Sequence, residues 1–120
     1  MRDTALAALS AVLDPRDLAT GADMAPYLRD WRGMFQGAAL AVCLPRNTQQ
    51  VAAIVRICRE HGLRIVPQGG NTGLAGGATP DANDRNVVVS LARMNRIIAV
   101  DRIGQTVIAE AGVVIDTLQI

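Results

Sequence analysis

An α+β fold is the class this 120-residue sequence predicts, and three observations carry it. Residues 48–61, an amphipathic stretch with a start and a stop signal, lie between two short apolar runs, AALAVCL and LRIV. That is the pattern of a strand–helix–strand unit. Residues 67–77, PQGGNTGLAGG, hold five glycines and no charge, so they form neither an ordinary helix nor a central strand. Finally, IIAV and TVIA are joined by DRIGQ, the signature of a strand pair lying outside that first unit.

In chain order, residues 4–13 predict a first helix, because Leu6, Leu9 and Leu13 recur at helical spacing. Asp14 before Pro15 ends it, since the residue preceding proline is pushed out of the α region. DPRDLATGADM is polar and turn-like. Residues 23–33, with Tyr27, Asp30, Trp31 and Arg32, read either as a short helix or as a loop over the core. A strand is expected over 38–44. The next helix, over about 48–61, is capped by Asn47, which has Gln50 at capping-box spacing, or by Thr48. Val51, Ile54, Val55 and Cys58 define its apolar face, Gly62 its stop, and His61 sits against its carbonyl end. A parallel strand over 63–66 completes the unit, with its sheet buried on one face. Strands follow at 87–90, 97–100 and 106–109, with Gly104 supplying the turn of the last pair. The final GVVIDTLQI reads as the beginning of a helix, from which the chain is expected to be the N-terminal part of a longer protein.

Composition removes several function classes. Twelve basic and eleven acidic residues leave a net charge of +1, with no basic patch for nucleic acid. No apolar run is long enough to be a transmembrane segment. One histidine and two cysteines fifteen positions apart, Cys43 and Cys58, offer little to a metal. They read instead as buried free thiols of a reducing compartment, and a cytoplasmic protein is expected.

The glycine-rich stretch is the one that carries chemistry. Between two apolar strands it brings consecutive backbone N–H groups close to a ligand, with Asn71 and Thr72 adding side-chain hydrogen bonds. It has neither the G-x-G-x-x-G fingerprint nor the Gly-Lys-Ser/Thr of a Walker loop. A phosphate held here is therefore held by amide dipoles, with no Lys or Arg inside the loop.

PQGGNTGLAGG, followed by VVVSLARMNRI and TVIAEAGV, resembles the PCMH-type FAD-binding domain of the FAD-linked oxidases with the vanillyl-alcohol-oxidase fold. It is most similar to the D-2-hydroxyacid dehydrogenase branch. The resemblance implies the first α/β subdomain (βαβ) of that fold plus the start of the second. It divides the chain into a lead-in over 1–35 and an incomplete FAD-binding domain over 36–120. It implies FAD wrapped at its pyrophosphate by Pro67, Gln68, Gly69, Gly70, Asn71, Thr72 and Gly73, with Gly76 and Gly77 closing the loop. Ser90, Met94 and Asn95 correspond to a second flavin-contacting stretch, and Gly112 is either a close approach to the cofactor or a plain turn. Asn71 stands where relatives with covalent flavin carry histidine, so the FAD is expected to be non-covalent. The implied activity is oxidation of D-2-hydroxyglutarate, D-lactate or glycolate to the 2-oxo acid. Substrate and catalytic residues are expected mainly beyond residue 120, and electrons pass to an acceptor other than oxygen. Cofactor motifs do not read substrate, so another alcohol or a sugar stays open as the substrate. A small non-enzymatic anion-binding domain is the reading from a different class.

Overall fold

The computed structural model describes residues 2–30, 33, 36–71 and 76–118. Helix α1, Arg2–Val12, ends where expected. Asp14 then caps a 3-10 turn, Pro15–Asp17, with its carboxylate accepting from the Arg16 N–H at 2.9 Å. The next segment, far from being only a polar turn, contains strand β1, Leu18–Ala19, and a 3-10 helix, Gly21–Tyr27, that buries Met24.

Four strands form the main sheet: β1, β2 (Ala41–Cys43), β3 (Arg64–Gln68) and β4 (Asn86–Ser90), in the order β1-β2-β4-β3. β2 and β3 are parallel members of one sheet, as expected, but β4 lies between them and pairs in parallel with both. β1 closes the other edge antiparallel to β2. With β4 in the middle, its continuous valine run is buried on both faces, the pattern of an interior parallel strand. The two faces have separate cores. Ala41, Cys43, Val87 and Val89 pack with Leu9 and Leu13 of α1 and with Ile54, Ile57 and Cys58 of α2 (Thr48–Glu60). Val42, Val88 and Leu44 pack on Met24 from the 3-10 helix. The sheet is thus covered on both sides, where the sequence reading had one.

Helix α2 forms because its ends are specified locally. The Asn47 side chain accepts from the Gln50 N–H at 2.8 Å, and the Gln50 amide oxygen accepts from the Arg46 N–H at 2.7 Å. At the other end Gly62 takes φ +64°, and Leu63 N–H reaches the Cys58 carbonyl at 2.8 Å. This is a Schellman closure that a residue with a side chain would strain. Ile57 takes the inward position assigned to Val55, which is 45% exposed.

β3 runs two residues further than predicted, through Pro67 and Gln68. Proline is tolerated there because β3 is an edge strand. Beyond the sheet, β5 (Ile97–Asp101) and β6 (Thr106–Ala109) form an antiparallel hairpin with a bulge, followed by α3, Ile115–Leu118. Its left-handed turn residue is Gln105, φ +53°, and not Gly104. Gly104 instead donates its N–H to the Asp101 carboxylate at 3.0 Å.

Candidate functional site

Parallel strands end together, and the loops leaving their carboxyl ends make the usual binding crevice. Here β3 ends at Gln68 directly opposite Ser90, the last residue of β4. The glycine-rich segment leaves from that edge, and a cleft of about 470 Å³ opens beside it. Its walls are Gln68, Gly69, Gly70 and Asn71 on one side, Ser90 and Ala92 on another, and Pro26, Tyr27, Arg29 and Asp30 across the gap.

Hydrogen bonds tie these walls together. The buried Gln68 amide donates from Nε2 to the carbonyls of Tyr27 and Ala78, both at 3.0 Å. The Gln68 backbone carbonyl accepts from Leu91 N–H at 2.8 Å. Asn71, in the left-handed region at φ +58°, donates from Nδ2 to the Arg29 carbonyl at 2.8 Å. Gly76 is also left-handed, at φ +82°, and its carbonyl accepts from Thr79 N–H at 3.2 Å. Thr72 and Gly73 lie outside the described residues, whereas Gly77 is exposed with open space where a Cβ would stand.

The second stretch is held just as firmly. Ser90 is buried, and its hydroxyl oxygen accepts from Ala92 N–H at 3.4 Å. Met94 is buried, donates its N–H to the Leu91 carbonyl at 3.0 Å and accepts from Gly112 N–H at 2.9 Å. Asn95 is exposed. A Cβ on Gly112 would stand 1.7 Å from the Leu91 carbonyl oxygen. The close approach that Gly112 permits in this structure is thus to the protein's own turn. Gly70 and Gly112 also share a smaller depression of about 350 Å³ with residues 111 and 113–116. Pro67, within β3, is exposed on the strand that delivers the loop.

Sequence reasoning missed the far wall of the cleft. Arg29 adds a cationic residue to the lining of a cleft whose loop carries no charge of its own, and Asp30 is buried beside it. Their only sequence signal was the aromatic and acidic content of residues 23–33. Also missed was Asp17, fully buried, whose carboxylate accepts from Arg46 Nε at 2.8 Å and from the Arg93 guanidinium. Arg93 lies between Ser90 and Met94, so this ion cluster anchors the second stretch to the lead-in.

Elsewhere the titratable groups are structural. Burial and the neighbouring Cys58 push the Cys43 thiol up to about 12, and burial pushes Cys58 to about 11, so neither is a nucleophile. His61 is the C-cap of α2. Arg64 pairs with Asp81 at 3.1 Å, both side chains being largely exposed. Among the described residues no group of His, Cys, Asp or Glu could hold a metal ion, and no helix is long and apolar enough to cross a membrane.

What the cleft can do follows from its donors. Among the described residues, no atom beyond its chain neighbours lies within 4 Å of where a Gly69 Cβ would be, so the backbone is open to a ligand on that side. A glycine wall, the Ser90 hydroxyl and a cation at the rim suit the linked phosphates of a dinucleotide.

Comparison with known proteins agrees with that chemistry. The model of a family described as an FAD binding domain matches residues 39–120. The chain is 35% identical over 113 residues to the mitochondrial D-2-hydroxyglutarate dehydrogenase of Bos taurus, covering 94% of this chain and 20% of that protein. The mitochondrial enzyme of the same name from Arabidopsis thaliana is 38% identical over 89 residues, covering 74% of this chain and 16% of its own length. A D-2-hydroxyglutarate dehydrogenase of Stutzerimonas stutzeri is 37% identical over 112 residues, with 92% of this chain and 24% of that protein covered. Among solved structures, 4-ethylphenol oxidase from Gulosibacter chungangensis superposes with a TM-score of 0.84 at 25% identity, over 97% of this chain and 23% of that one. The chain therefore spans about a fifth of the length of the curated relatives it matches. The bovine and Arabidopsis relatives are mitochondrial, which overturns the cytoplasmic placement expected from the thiols. Buried cysteines report a reduced, packed core and carry no address.

Proposed function

Since this chain belongs to the FAD-binding-domain family, we propose that it forms the part of a flavin-dependent dehydrogenase that grips the FAD pyrophosphate, in an enzyme that oxidises a D-2-hydroxy acid to the 2-oxo acid. The observation that carries the reading is the wall at residues 69–71. There an uncharged backbone, open at Gly69, faces a cleft at the carboxyl ends of two parallel strands. Backbone N–H groups fixed in advance bind charged oxygen without the cost of ordering side chains. Gly69, Gly70 and Asn71, with Thr72, Gly73, Gly76 and Gly77 closing the loop, cradle the pyrophosphate. Ser90, Met94 and Asn95 follow the dinucleotide toward the flavin, and Arg29 balances its charge at the rim.

FAD, when bound, would supply the redox chemistry as the acceptor for the α-carbon hydride, with the hydroxyl proton passing to a base as the alcohol becomes a carbonyl. The contribution of this chain is binding and orientation. Asn71 has no nucleophilic atom for a flavin linkage, and both thiols are buried in the core between α2 and the sheet, so this part of the enzyme holds FAD non-covalently. The domain proper runs over 36–120, with residues 1–35 built onto it through β1 and the Asp17 cluster.

The similarity to D-2-hydroxyglutarate dehydrogenases supports that substrate class. The test is anaerobic mixing of the FAD-loaded protein with D-2-hydroxyglutarate, D-lactate and glycolate, and with the L-isomers of the first two, simple alcohols and sugars. Bleaching of the oxidised flavin by a D-2-hydroxy acid supports the proposal. Bleaching only by an alcohol or a sugar moves the substrate class, and absence of any bound flavin removes the cofactor reading itself.

A further inference from the structure

We infer that Gln68 is a positioning residue, a two-donor staple that sets the cofactor loop in its binding shape without itself touching the cofactor. This rests on the cofactor reading above, but its argument is geometric. Gln68 is 3% exposed and sits at the root of the glycine loop. Its Nε2 lies 3.0 Å from two carbonyl oxygens, those of Tyr27 and Ala78. Two carbonyls can be met only by the NH₂ end of the side chain, so the orientation of the amide follows from its partners. Both hydrogens are then spent inside the protein. What remains is an amide oxygen, an acceptor, and phosphate oxygens need donors.

The staple joins three pieces of the site. Ala78 follows the loop that Gln68 precedes, so one bond draws the two ends of the loop together. The bond to Tyr27 fixes the loop against the far wall of the cleft, and the backbone carbonyl of the same residue, accepting from Leu91 N–H at 2.8 Å, separately fixes the Ser90 turn. Asn71 repeats the device three residues on, reaching the carbonyl of Arg29, two residues beyond Tyr27. Two side-chain amides thus hold two carbonyls of the lead-in, and the width of the cleft is set by those bonds. Glycines at 69 and 70 give the loop its access but no stiffness. The stiffness is supplied at its root.

Two variants of the complete protein test this. In Gln68→Met the side chain keeps its length and loses both donors. Hydrogen exchange of the amides over residues 69–78 in the apo-protein should then accelerate at least about tenfold, and FAD affinity should fall by a similar factor. In Gln68→Glu a carboxylate faces two carbonyls at high pH, and protonation restores one donor. Burial and the two acceptors raise the folded pKa of that new acid. FAD retention by this variant should therefore be poor at about pH 8 and recover toward about pH 5.5, while the parent protein is flat over the same interval. If Gln68→Met does not fold, loop exchange of apo Gln68→Glu decides: it should be fast at about pH 8 and slow toward about pH 5.5 with no FAD present. Unchanged loop exchange with lost FAD affinity in Gln68→Met would show a direct ligand contact and overturn the proposal. Affinity of Gln68→Glu that does not vary with pH would overturn it as well. The exchange measurement needs no FAD, so a failure of the cofactor reading would appear separately, as a parent protein that binds none.

Discussion

Gly69→Val is the substitution for which the fold and the proposed ligand make opposite demands. Among the described residues, a Cβ at Gly69 meets no atom within 4 Å beyond its chain neighbours, and its φ lies outside the left-handed region. Valine should therefore leave the stability of the apo-protein within about 1 kcal/mol of the parent, since no native contact is lost and the unfolded chain is slightly stiffened. The same open space is where the pyrophosphate is proposed to approach the backbone. Three added carbons would hold phosphate oxygens away from the neighbouring N–H donors. Each hydrogen bond to a charged group contributes about 1.5–3 kcal/mol. Losing two of them costs about 3–6 kcal/mol, or about 10²- to 10⁴-fold in Kd. Fluorescence-quenching titration of apo-protein with FAD gives the affinity, and thermal unfolding of the same samples gives the stability. A variant as stable as the parent that binds FAD within about threefold of it refutes the placement of the pyrophosphate at this wall.

Three further outcomes are expected. Asp17→Ala should cost about 2–4 kcal/mol in urea unfolding, below the full cost of breaking a buried pair because Arg46 and Arg93 are 49% and 33% exposed and regain some water; a loss under about 0.5 kcal/mol would mean that the cluster holds nothing. Gly112→Ala should destabilise by about 3 kcal/mol, near the upper end for overpacking, since its Cβ would stand 1.7 Å from one backbone oxygen and 2.9 Å from another; an unchanged denaturation midpoint would contradict that crowding. Acid should weaken the fold through Asp14, Asp81 and Glu110, whose carboxyls are held below their ordinary values by hydrogen bonds from the side chains of Arg16, Asn86 and Arg96, respectively. A depressed carboxyl contributes stability that is complete above its unfolded pKa and lost as pH falls through the folded one. The loss should therefore begin near 4.5 for Glu110 and 3.8 for the aspartates, and Arg96→Met should flatten the Glu110 part of the acid limb in pH-dependent unfolding.

Helix α2 was legible because its signals are local. Asn47, Gln50 and Gly62 lie within a turn of the ends they specify, and spacing placed Ile54 and Cys58 on the core face, although it assigned Val55 the inward position that Ile57 takes. The order of the sheet was not legible in the same way. Nothing in LRIV or NVVVS states that β4 inserts between β2 and β3, because pairing depends on contacts across many residues. The uninterrupted valines were the available hint, since a strand buried on both faces needs no alternation. Pro67 and Gln68 read as loop because proline is rare in strands, and only the edge position of β3 admits it. The glycine wall of the cleft stood out in composition, whereas the opposite wall at 27–30 did not. That wall is held by bonds spanning 41 and 42 residues, from Gln68 and Asn71 to the carbonyls of Tyr27 and Arg29. Backbone carbonyls leave no mark in a sequence. Asp17, read as part of a polar turn, is buried only because two distant arginines converge on it.

The central claim is that this cleft recognises a pyrophosphate, and calorimetric titration of the apo-protein with FAD and with FMN tests it most directly. FMN carries the same flavin ring and ribityl chain with a single phosphate, and lacks the second phosphate and the adenosine. FAD should bind far more tightly than FMN, and Gly69→Val should remove most of that preference. FMN binding as tightly as FAD to the parent protein would contradict the account.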